Sequence, residues 1–180
     1  MSDKGSYQIE TIASHLDVEI TRLKAQVELF WDKELKHYIE YGLNDGMVIA
    51  ELGSGPGYVT EKILENFPNV NVTAVEIDPI LLKYSQDYLS QFSRCEIIQK
   101  SIMETGLTEN RYDFAITRLV LEHLPDPVSA VREVLRILRP GGRAVFIDND
   151  FEMHIMTYPH VSELRELYHA YCQARFEEGG

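Results

Sequence analysis

The segment Glu51-Leu52-Gly53-Ser54-Gly55-Pro56-Gly57 places a glycine at every second position, directly after an apolar run and directly before a helical pattern. Glycine admits positive φ and lets the main chain approach a ligand where a Cβ would clash, so this is a turn suited to cradling a ligand. The spacing is not that of a dinucleotide turn, which would put its third glycine where Tyr58 stands, and the Gly-Lys-Ser/Thr ending of a phosphate-binding loop is absent. A ligand without pyrophosphate is predicted. Two carboxylates sharpen this. Glu51 closes the apolar run before the turn, and Glu76 closes the next such run, about 20 residues farther on, where a ribose-binding acid belongs. A carboxylate at the end of a buried strand is costly unless donors satisfy it. Either side chain could bond backbone amides nearby; a ligand carrying an ammonium group and a diol would satisfy both.

These residues need a sheet beneath them, and the rest of the chain supplies one. From Ile20 to Gly42, Leu23, Val27, Phe30/Trp31, Leu35 and Tyr38 recur at helical spacing with charges between them. After the turn Asn44-Asp45-Gly46, MVIAEL reads as a first buried strand. A helix carrying Val59, Ile63, Leu64 and Phe67 follows the glycines and stops at Pro68. VTAVEI is the second strand. Asp78-Pro79 then caps and opens a helix with Leu81, Leu82, Tyr84, Tyr88, Leu89 and Phe92. CEIIQK, YDFAITR and RAVFID are the third, fourth and fifth strands. Between the last two, Asp126-Pro127 opens a helix with Val131, Leu135 and Leu138, predicted to end at Pro140-Gly141-Gly142. Strands alternating with helices imply right-handed crossovers and a parallel sheet covered on both faces. Ligands bind such a sheet outside the strands' carboxyl ends, which sets the glycine turn, Glu76, Ser101 and Arg118 along one rim.

Composition narrows the partners. The chain has 180 residues and a formal charge of −12, so its surface repels phosphate backbones and anionic lipid; small molecules are the expected partners and nucleic acid is disfavoured. Two separated cysteines, Cys95 and Cys172, form neither a disulfide framework nor a zinc pattern, and a reducing cytoplasm is the expected location. No apolar run reaches the roughly 18 to 20 residues of a membrane span, and no signal-peptide pattern opens the chain.

Glu51-Leu52 with Gly53-Ser54-Gly55-Pro56-Gly57, then AVEIDP, then YDFAI with LEHLPDP, then LRPGGRAVF resemble the class I S-adenosylmethionine-dependent methyltransferases over about residues 16 to 150. The resemblance implies a doubly wound, mostly parallel α/β sheet of Rossmann-like type. It also implies roles. Glu51 and the backbone of Gly53, Ser54, Gly55 and Gly57 would hold the methionine part of S-adenosylmethionine, and Glu76 would grip both ribose hydroxyls. Ile77 would pack on adenine, with Ser101 and Ile102 flanking the base, although relatives commonly carry an acid where Ser101 stands. Arg118 and Leu119 would line the cofactor from the end of the fourth strand.

A sulfonium methyl is already electrophilic, so in-line displacement asks the protein mainly to hold the acceptor close and aligned. A base is needed only if the acceptor arrives protonated. His123, in the segment after the fourth strand, is the candidate, the alternative being a histidine that bonds the loop backbone. Tyr7, Trp31, His154 and Tyr158 are candidates for the acceptor pocket. Asp148-Asn149 could offer oxygens to magnesium, but Arg118 would set a fixed positive charge opposite, and no metal is expected. The Asn/Asp-Pro-Pro-aromatic run of adenine-DNA methyltransferases is replaced by Arg118-Leu119-Val120-Leu121. The expected activity is methyl transfer to a small-molecule acceptor, with the oligomeric state left open.

Two other readings stand beside it. Tyr58-x-x-x-Lys62 matches the catalytic string of short-chain nicotinamide oxidoreductases, but directly after the glycine turn rather than far downstream. A non-catalytic or truncated cofactor-binding domain is the other reading, because family members add two strands after the fifth, whereas Pro159 to Phe176 reads as one helix with Leu164, Leu167, Tyr168 and Tyr171 in its stripe. The expected organisation is an N-terminal helical segment over the active site (1–45), a cofactor-binding core (46–150) and a C-terminal helical segment (151–180) of a longer chain.

Overall fold

The computed structural model describes residues 16–150 and 157–177, and Tyr7 and His154 lie outside them. The elements are α1 (Leu16–Glu40), β1 (Val48–Leu52), α2 (Tyr58–Asn66), β2 (Asn71–Glu76), α3 (Pro79–Tyr88), β3 (Cys95–Gln99), β4 (Tyr112–Arg118), a 3-10 turn (Leu121–His123), α4 (Pro127–Ile137), β5 (Leu138–Ile147) and α5 (Ser162–Glu177). The strands form one sheet in the order β3-β2-β1-β4-β5, every pair parallel. The chain leaves β1 toward β2 on one side and returns to β4 on the other, so the order reverses at β1, and a crevice opens there beyond the carboxyl ends.

Two apolar layers hold the sheet. On one face Val27, Trp31 and Tyr38 of α1 join Ile63 and Leu64 of α2 against Ile49, Val72, Phe114 and Ile116. On the other, Ala130, Val134 and Ile137 of α4 pack on Ala50, Leu52 and Ala115. The helix starts follow the sequence. Asp78 Oδ1 accepts from the N–H groups of Ile80 and Leu81 at 2.8 and 3.0 Å, and Asp126 Oδ1 from that of Ser129 at 3.1 Å, each ahead of a proline. Such caps satisfy donors that a first helical turn leaves over.

Three boundaries depart from the pattern. α3 ends at Tyr88, so Phe92 packs against the same core from beyond the helix. α4 stops at Ile137 rather than at Pro140, because Leu138 is already extended beside Tyr112. The Pro140-Gly141-Gly142 run falls within β5, where the register shifts between Tyr112 and Phe114, making a bulge where a helix stop was expected. Among the described residues no helix is long and apolar enough to cross a membrane.

Candidate functional site

The turn after β1 is strapped to its neighbour strand. The N–H groups of Gly53 and Ser54 both donate to the Val75 carbonyl, at 2.8 and 3.0 Å, and that of Gly57 to Ser54 O at 3.0 Å. Gly53, Gly55 and Gly57 have φ of 77°, 55° and 90°, a region side chains rarely enter. At Gly53 a Cβ would also sit 2.4 Å from Val120 Cγ2, so the segment after β4 lies directly against this loop. At Gly55 nothing lies within 4 Å of the Cβ position: the backbone faces open space.

That space is a cavity of about 350 Å³ at the carboxyl ends of the strands. Glu51, Gly53, Ser54 and Gly55 line it from β1 and its turn, and Glu76 and Ile77 from β2. Ile102, Arg118, Leu119 and His123 complete the wall from the far strands. Two expected site residues stand apart. Gly57 opens α2 instead, packed so closely on Leu89 that a Cβ would meet Leu89 Cδ1 at 2.6 Å. Ser101 does not line the cavity; its hydroxyl accepts from the Met103 N–H at 3.2 Å and its backbone bridges to Glu104. Among the acceptor-pocket candidates, Trp31 is a core residue 6.2 Å from the Tyr38 ring centroid, and Tyr158 is fully exposed.

The two carboxylates are held differently. Glu76 receives one amide on each oxygen, from Gly55 at 2.7 Å and Asp78 at 2.7 Å, so the acid that closes β2 fixes the glycine turn in place. Burial pushes its carboxyl above the ordinary range, against the pull of these amides. Glu51, 3% exposed, accepts from the Thr60 hydroxyl. Burial raises its pKa from 4.5 to about 7, Thr60 and Arg118 oppose the rise, and Glu76 adds to it. Between about pH 4.5 and 7 the fold therefore favours a proton on Glu51 that the unfolded chain has lost.

A measurable pH dependence results. The unfolded chain releases this proton near pH 4.5 and the folded one near 7, so the stability associated with it is complete below pH 4.5 and lost as pH rises through 7. The loss amounts to about 3 kcal/mol. In urea unfolding, Glu51→Gln should gain on the parent by about that amount between pH 4.5 and 7.5. A difference that stays flat across this range would show that Glu51 ionises normally.

Arg118 lines the cavity and also pairs with α1. Its Nε lies 3.0 and 2.9 Å from the two Glu34 oxygens, and both side chains are nearly buried. This pair ties α1 to the end of β4, and α1 lines the cavity with Arg22, Leu23, Gln26 and Val27. Sequence reasoning gave none of these a site role, it missed Lys100 and Glu122 in the wall, and it weighed Asn149 only as a magnesium ligand. Leu23 and Val27 carried a signal as apolar-face residues, which reads equally as core. Among the described residues no group of three or more His, Cys, Asp or Glu is placed to hold a metal ion.

A five-stranded parallel sheet reversing at β1, with a glycine turn and an acid-terminated β2 around one cavity, defines a Rossmann-like α/β domain. More particularly, the chain belongs to the methyltransferase-domain family, whose model matches residues 50–146. The demethylmenaquinone methyltransferase of Chlamydia pneumoniae is 29% identical over 134 residues, covering 74% of this chain and 56% of that protein. The tRNA U34 carboxymethyltransferase of a Sulfurovum species is 25% identical over 154 residues, 78% of this chain and 50% of that one. The chain thus spans about half the length of these curated relatives. A crystal structure of a SAM-dependent methyltransferase from Aquifex aeolicus shares the fold with a TM-score of 0.65 at 20% identity, over 73% of this chain and 71% of that one.

Proposed function

We propose that this chain binds S-adenosylmethionine and directs its methyl group to a small-molecule acceptor. The observation that carries the reading is the Glu76 carboxylate, held by Gly55 and Asp78 amides at the rim of a cavity that the missing Gly55 side chain leaves open. Each Glu76 oxygen keeps a second lone pair for a ribose hydroxyl. The other residues present fit the same ligand. Ser54 Oγ is buried without a hydrogen-bond partner beside the turn, Glu51 can take an ammonium group, and Ile77 and Ile102 offer apolar surface to a base. Bound there, S-adenosylmethionine supplies an electrophilic sulfonium methyl; the protein's part is to orient the acceptor and exclude water.

A small acceptor is supported by the size of the cavity, about 350 Å³, and by the −12 charge, which weighs against the tRNA acted on by one relative. The relative named for demethylmenaquinone methylation points the same way. A cofactor-binding domain without turnover is the second reading, favoured by α5, whose Leu167 and Tyr171 are exposed. A nicotinamide reading loses its motif: the Tyr58 hydroxyl bonds that of Tyr84 at 2.9 Å, and Lys62 pairs with Glu65.

Isothermal titration with S-adenosylmethionine, S-adenosylhomocysteine and NAD tests the proposal. The two sulfur nucleosides should bind at micromolar levels with NAD at least about 100-fold weaker, a gap of about 2.7 kcal/mol. NAD binding as tightly as either would overturn it, and release of labelled methyl into acceptor separates turnover from binding alone.

A further inference from the structure

From the segment after β4 we infer that Glu122 and Asn149 serve as positioning residues for His123, forming a proton-accepting wall, and that the acceptor carries an ionisable O–H which it surrenders on methylation. This deepens the proposed function and rests on it.

The segment is held in an unusual shape. Leu119 has φ of 56°, uncommon for a residue with a branched side chain, and its N–H donates to Ile147 O at 2.7 Å. The Leu121 N–H donates to Asp148 Oδ2 at 3.2 Å, so the end of β5 pins the 3-10 turn from both sides of Val120. Val120 in turn lies where a Gly53 Cβ would be, which sets the turn against the glycine loop. The consequence is that Glu122, His123 and Asn149 all line the same cavity as the loop.

Their mutual geometry suits proton transfer. The Asn149 side-chain amide donates to both Glu122 oxygens, at 3.0 and 3.2 Å, and Glu122 Oε1 lies 3.7 Å from His123 Nε2. Asparagine fixes the carboxylate, and the carboxylate faces the imidazole. The Glu122 side chain is only 13% exposed, so its charge is felt by the ring more strongly than on an open surface. Asp148 is the second acid near His123, and its carboxyl is raised by burial and by Glu122 while His123 opposes the rise. From α1 the cation on this cavity is Arg22, which is bidentate to Glu19 at 2.8 and 2.6 Å. Two carboxylates beside the ring are placed to stabilise the positive charge that develops on a base as it accepts a proton.

As the acceptor oxygen forms its bond to the methyl carbon, its proton passes to the His123 imidazole. The S–C bond electrons stay on sulfur, leaving an ether, a neutral thioether and an imidazolium facing Glu122. A tertiary amine or a thioether has no proton to give and would gain nothing from this wall.

The test uses the full chain and 1-naphthol as the probe acceptor. The acid limb of kcat/KM for 1-naphthol methylation should shift to lower pH in Glu122→Gln, and Asn149→Ala should move it the same way by less. His123→Ala should lose about 100-fold or more in kcat/KM while S-adenosylhomocysteine affinity changes less than twofold. An unmoved acid limb in Glu122→Gln overturns the positioning role, and bound S-adenosylmethionine with no transfer to 1-naphthol overturns the acceptor class. Failure to bind S-adenosylmethionine at all would instead remove the underlying function.

Discussion

Glu76→Ala is expected to weaken S-adenosylhomocysteine binding by about 100-fold or more. Two ribose hydroxyls donating to one buried carboxylate are each worth about 1.5 to 3 kcal/mol, and about 3 kcal/mol in sum already exceeds that factor. The same carboxylate holds the Gly55 and Asp78 amides, so its removal also frees the turn that the ligand must touch. A second ligand separates these effects. A 2′-deoxy analogue lacks one of the donors, and its affinity should fall less on Glu76→Ala than that of the parent nucleoside. Thermal unfolding of the variant without ligand reports the turn alone. Equal losses for both ligands would mean that Glu76 shapes the loop without gripping the sugar, and unchanged affinity for S-adenosylhomocysteine would remove the nucleoside reading altogether.

The parallel sheet was legible because its signals are local and repeat. Five apolar runs, each followed by a turn or capping residue, allow few arrangements, and Asp78 and Asp126 cap their helices as their places before proline imply. The rim of the site was legible for a related reason: once β1 and β2 are placed, Glu51, Gly55 and Glu76 have no freedom to be elsewhere. What escaped depends on contacts distant in sequence. Nothing local tells whether Ser101 turns its hydroxyl to a ligand or, as here, to the Met103 amide. Trp31 reads as an aromatic in a helix whichever face it takes, and its place in the core follows from how α1 crosses the sheet. Asn149 reaches Glu122 across a loop that the sequence separates by 27 positions. One signal could have been used. Glu34 lies three residues after Trp31 and four before Tyr38, on the apolar face of α1, where a carboxylate needs a cation.

That cation is Arg118, and removing it should strongly destabilise the domain. Arg118→Met leaves the Glu34 carboxylate, 11% exposed, without the guanidinium that spans both its oxygens, a loss of about 3 to 5 kcal/mol for a broken buried pair. Desolvating both ions offsets much of what the intact pair contributes, so replacing both partners with apolar groups of similar size, as in Glu34→Leu with Arg118→Met, should return urea-unfolding stability to within about 1 to 2 kcal/mol of the parent. Losses that simply add would show that the two side chains act independently. A second consequence concerns Glu51, whose ionisation Arg118 favours. In either Arg118 variant its carboxyl should take up protons at still higher pH, carrying the pH-dependent loss of stability upward with it. If stability returns in the double variant, the pair's remaining contribution is expected to be the placement of α1, which carries Arg22, Leu23, Gln26 and Val27 of the cavity wall. Methyl transfer by the apolar double variant should fall further than its stability does.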